Sequence, residues 1–116
     1  MIVTAKSALA LALAVSATAT ATAASAQEMT HDQAETRARA CLSAGAGGAP
    51  QTSLLAAVRA LSALCSPQIT RLRDIRVREA TVGLDRQDTE TETRRVNRAL
   101  NDEIVQAVAN FTGLHN

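Results

Sequence analysis

Two cysteines, Cys41 and Cys65, stand 24 positions apart, each beside a helical pattern. A bridge between them restricts how those two helices can cross. The first pattern, "THDQAETRARACLSA", opens on Thr30 with Gln33 three positions later, the spacing of a capping box. Gly45, Gly47 and Gly48 mark its end. The second, "TSLLAAVRALSALC", follows Pro50 and places Leu54, Leu55, Val58, Leu61 and Leu64 at spacings of three, four and seven. Ser66 and Pro67 close it. In a tight antiparallel hairpin turning near Gly48, Cys41 would face residue 55. Cys65 would then lie about ten residues further on, roughly 15 Å along the axis. Bridged Cα atoms sit within about 7 Å of each other. A tight hairpin and a Cys41–Cys65 bridge therefore exclude one another. The connector "SAGAGGAPQ" is long enough for the second helix to cross steeply, and a bridge with a non-hairpin crossing is the expected arrangement.

Whether the bridge forms depends on the compartment. The amino end carries one basic residue, Lys6, then the short apolar run "SALALALAV", then small and mildly polar residues ending in Ala24, Ser25 and Ala26. A basic residue, a short apolar region and an A-x-A site are the three parts of a cleavable secretory leader. The run is too short for a membrane span, which needs roughly 20 apolar residues. Residues 1–26 are thus expected to be removed, leaving Gln27 to Asn116 as one small domain in the periplasm or secreted, without an integral membrane segment. Thiols exposed to such a space oxidise. In the chain-entropy treatment, closing a loop of this size stabilises the fold by roughly 3–4 kcal/mol. That is a large share of what a core this small can supply.

The mature segment loses the only lysine. Of the 12 Lys and Arg residues Lys6 leaves with the leader, so the remaining arginines match the 11 Asp and Glu and the net charge is zero. A general nucleic-acid or anionic-membrane binder would need a basic excess, so neither partner is expected. The Ala- and Arg-rich composition, without lysine, suits a GC-rich bacterial genome.

Two further segments are informative. "RLRDIRVRE" sets Arg71, Arg73, Arg76 and Arg78 close together, a candidate anion or partner contact. On a helix Arg71 and Arg78 share one side, and Arg73 and Arg76 lie nearly opposite. Local ion pairs, Asp74 with Arg78 and Arg76 with Glu79, would use part of the charge. Ser66 as a cap with Pro67 behind it predicts a helix through about residue 79, and the β-branched residues of "IRVREATVGL" leave an extended alternative. The last segment starts with Asp85, Asp88, Glu90 and Glu92, which favour a helix amino terminus, and offers an i,i+4 pair between Glu90 and Arg94. Val96, Leu100, Ile104, Val108 and Phe111 follow as a stripe at helical spacing, and Gly113 stops it. That stripe is either core or a docking face for another chain.

The fold expected is all-α, a bundle of three to four helices stapled by Cys41–Cys65. No catalytic constellation is legible. The two histidines, His31 and His115, sit near opposite ends of the mature segment and are expected to be exposed. The serines lack a G-x-S-x-G context, and "GAGG" lacks the Lys and Ser/Thr of a phosphate-binding loop. No cofactor or metal is expected. Two readings remain. One is a non-catalytic interaction protein of the cell envelope, such as an inhibitor, adaptor or chaperone-like protein, bound to another protein or to a second copy of itself. The other is a small-ligand or anion binder built on residues 71–78. Intact mass of the exported protein should equal that of residues 27–116 less the two hydrogens lost in one disulfide, and reductant should restore them. A retained leader or unchanged mass on reduction would refute this reading of the sequence.

Overall fold

The structure is a computed structural model that describes residues 28–115. The expected leader and its expected cleavage site at Ala24–Ala26 lie outside those residues. Four helices and no strands make up the described part: α1 (His31–Ala46), α2 (Leu54–Leu64), α3 (Ser66–Thr81) and α4 (Arg86–Thr112).

Each helix begins and ends for a local reason. Thr30 caps α1 through a complete capping box: its hydroxyl accepts from the Gln33 amide, and its own amide donates to the Gln33 side chain. Ser53 accepts from the Ala56 amide at the head of α2, and Asp85 accepts from the Asp88 amide at the head of α4. Gly113, at φ 72, ends α4 by donating to the Ala109 carbonyl. The α1 stop differs from expectation by a residue or two. Gly45 is inside the helix, and Gly47 caps it.

The joint between α2 and α3 is a single residue. Cys65, at φ −98 and ψ 16, donates to the Leu61 carbonyl, which closes α2, and accepts from the Ile69 amide, which opens α3. Ser66 is therefore the first residue of α3 and not its cap, and Pro67 sits in the first turn, where a missing N–H costs nothing. The segment from Ser66 is helical through Thr81, so the extended alternative does not apply. The helix face formed by Ile69 and Leu72 packs into the core and overrides the local β preference of Ile75 and Val77.

Cys41 and Cys65 are joined, with Cα atoms 5.9 Å apart. The conflict between bridge and hairpin is resolved by α3. Contacts of α1 with α3 run in opposite directions along the two helices: His31 meets Glu79, Glu35 meets Arg76, and Cys41 meets Cys65. So α3, and not α2, is the antiparallel neighbour of α1. The connector Gly47–Ser53 lets α2 swing away toward α4.

The core gathers Ala34, Ala38 and Leu42 from α1, Leu54, Ala57 and Leu61 from α2, Ile69 and Leu72 from α3, and Leu100, Ile104, Ala107 and Val108 from α4, with Cys65 at their centre. A third of these positions are alanine, which brings helix backbones close. The stripe read on α2 is corrected. Leu54 and Leu61 are buried, but Leu55 and Leu64 are 58% and 63% exposed. Leu55 lies about 130° from the middle of the buried line, whose third member is Ala57, and Leu64 about 50° from it on the other side, in the last turn of the helix. On α4, Val96, Leu100, Ile104 and Val108 are buried within the chain itself, so the stripe is core; of the proposed docking face only Phe111 remains, 37% exposed. Before Val96, α4 buries no residue at all.

Gly45 marks the closest approach of α1 to α2. A Cβ there would come within 2.7 Å of Leu61 Cδ2 and 2.8 Å of Leu64 Cδ2. Exposed Leu64 can swing aside, whereas Leu61, at 1% exposure, cannot. Gly45→Val should therefore destabilise the fold by about 1–3 kcal/mol through overpacking. Gly47→Ala, at φ −66 with open space around it, should be neutral or stabilise by up to about 1 kcal/mol. Urea denaturation of both variants checks the contrast, and equal effects would contradict the packing described.

Candidate functional site

The four arginines of α3 are divided by the helix. Ile69, Leu72 and Arg76 share the face turned to the core, while Pro67, Arg71, Asp74 and Arg78 share the face turned outward. Arg73 is half-buried on the flank between. No common site for all four exists.

Arg76 is the inward member, its side chain 14% exposed. It donates to Glu103 of α4 and lies 3.8 Å from Glu35 of α1. Glu35 in turn lies 3.7 Å from His31 Nε2, and His31 Nδ1 is 2.9 Å from Glu79 of α3. A row of charged groups thus stitches three helices together above the core. The local pairs expected from spacing do not form. Arg76 turns away from Glu79 toward other helices, and Arg78 meets Glu28 at 3.5 Å in place of Asp74. In α4, Glu90 pairs with Arg86, not with Arg94. In α3 partners outside the helix displace i,i+3 and i,i+4 partners worth only a few tenths of a kcal/mol, and in α4 one i,i+4 partner replaces another. His31 is likewise not a free terminal side chain but part of this row.

Beside Arg76 is a small cleft of about 240 Å³ between α1, α3 and α4, floored by core residues and rimmed by Glu35, Arg39, Glu103, Gln106 and Asn110. Its one inward cation is already held by two carboxylates, so it offers an incoming anion little.

The outward face of α3 is different. Together with α1 and the residues that lead into it, it forms two adjoining depressions of about 410 and 600 Å³. Both are lined by Met29, Pro67 and Arg71, so they form one groove. Arg78 stands at one end beside Glu28, and Arg37 at the other beside Cys41. Arg37 and Arg71 have no carboxylate within salt-bridge distance among the described residues; neither has Asp74, which lines the same groove. Gln68, also in the lining, has its side-chain oxygen buried without a hydrogen-bond partner. Sequence reading picked out Arg71 and Arg78 but missed Arg37 and Gln68, because they come into play only once α1 lies against α3.

On the surface of α4 a hydrogen bond from Arg95 holds the Glu92 carboxyl below its ordinary range. A lowered carboxylate pKa stabilises the fold at neutral pH, and that contribution disappears as the pH falls through the lowered value. Among the described residues no group of His, Cys, Asp and Glu is placed to hold a metal ion, and no helix is long and apolar enough to cross a membrane. No family model, curated protein or solved structure matches this chain.

The contrast between inward and outward pairs is measurable. A double-mutant cycle on Arg76 and Glu103 should give a coupling of about 1 kcal/mol or more, because Arg76 is largely removed from water. The same cycle on exposed Arg86 and Glu90 should give no more than about 0.5 kcal/mol. Equal couplings would mean that the row above the core is no more than surface decoration.

Proposed function

We propose that the mature chain is a small exported, non-catalytic interaction protein of the bacterial cell envelope, of the inhibitor, adaptor or chaperone-like kind, and that it docks a protein partner in the groove between α1 and α3. The observation that supports this is the lining of that groove. Two arginines without carboxylate partners among the described residues stand on its walls, and half-buried Met29 and Ile75 lie along it beside the disulfide. Polar walls around a partly apolar floor are the usual make-up of a recognition surface.

The stripe on α4 does not compete for this role, since its aliphatic residues are consumed by the protein's own core. A small-anion site spanning residues 71–78 has less to work with than the spacing suggested, because Arg76 is engaged by Glu103 and Glu35 and faces away from Arg71.

A photo-cross-linking residue at Thr70, on the exposed edge of the groove, should capture a specific partner in the native compartment. The same residue at Asn101, exposed on α4, should not. Adducts at both positions or at neither would count against a docking groove.

A further inference from the structure

We infer that the occupant of the α1–α3 groove is an acidic, extended peptide segment of a partner protein. This rests on the docking role proposed above and specifies the chemistry of what docks.

Two features point the same way. The first is shape. From Pro67 to Arg78 the groove follows α3 for about 16 Å at 1.5 Å per residue, which matches about five residues of extended chain at 3.3 Å each. The second is charge. Arg71 stands where the two depressions meet, with Arg37 toward one end and Arg78 at the other. Of these only Arg78 has a carboxylate partner among the described residues, and that pair, 3.5 Å apart with side chains 63% and 88% exposed, can open at small cost. Glu28 and Asp74 in the lining, and Asp32 beyond Arg37, oppose an acidic ligand, but none of them is paired with Arg37 or Arg71. Side chains of an extended segment alternate, so acids two positions apart project on the same side toward the arginine walls.

The same features exclude simpler occupants. A small anion would leave Met29, Pro67 and Ile75 uncovered. A nucleic-acid strand would meet a mature segment, residues 27–116, without basic excess and, among the described residues, no aromatic side chain except Phe111, which is on α4.

The test is fluorescence anisotropy of labelled peptides on the exported, disulfide-bonded protein. The peptides contain Glu-Val-Glu-Val-Glu, Gln-Val-Gln-Val-Gln or Lys-Val-Lys-Val-Lys within a common neutral flank. The acidic peptide should bind at least tenfold more tightly than the neutral one, and the basic peptide not at all. Arg37→Gln and Arg71→Gln should each weaken acidic binding by about tenfold, the loss of one charge-assisted contact. Arg98→Gln, on α4, should change nothing. Arg37 and Arg71 are exposed, so these variants fold, and an unchanged melting temperature verifies it. Neutral and acidic peptides binding equally, or insensitivity to Arg71→Gln, would overturn the acidic assignment while specific cross-links from Thr70 kept the groove as a docking site. Absence of both peptide binding and Thr70 cross-links would overturn the two together.

Discussion

The covalent link between α1 and the joint of α2 and α3 is the constraint on which the rest of this fold depends. Cys65 ends one helix and starts the next, and it is fully buried at the middle of the core. Its bond to Cys41 holds that joint against the side of α1. With the joint fixed, α3 has only one direction in which to lie back along α1, and α2 is left to cover α4. A core built largely from alanine and aliphatic side chains, with no Trp or Tyr, offers few large anchors to impose such a crossing by packing alone. The bridge supplies what those anchors otherwise would, by removing alternatives from the unfolded chain.

Much of this was legible in the sequence where the signal is local. The capping box at Thr30 and Gln33, proline after the α2–α3 joint, the acidic start of α4 and its Gly113 stop each act within a turn or two, and each is found in the fold. The bridge was legible from two cysteines in a chain read as exported, and its incompatibility with a tight hairpin followed from helix rise alone. What could not be read was the choice among neighbours. Ala57 and Ala34 are buried as deeply as any leucine, yet alanine is equally at home on a surface and leaves no mark in a hydrophobic pattern. Leu55 and Leu64 matched the helical spacing and still face outward, because a stripe that spans half the circumference of a short helix exceeds what its neighbours can cover.

Charged residues show the same limit. Spacing along one helix predicted pairs inside α3 and α4, whereas Arg76 and His31 found partners on other helices. The division of the arginine stretch into an inward and an outward set followed from helix geometry, but the sets took on different roles only through α1. Glu35 helps hold the inward arginine, and Arg37, two residues further on, extends the outward groove. One helix face thus stabilises the bundle while its other edge shapes the surface proposed for docking.

The opening turns of α4 have a consequence of their own. From Arg86 to Arg95 the helix is held by backbone hydrogen bonds, its cap at Asp85 and surface ion pairs, with no side chain fully buried and only Thr89, Glu92 and Thr93 half-covered. Turns so lightly anchored open at less cost than those of the core, so their amides belong to the faster-exchanging class of the helical residues. In effect the molecule carries a clamped body and, joined to it, a lightly moored length of helix.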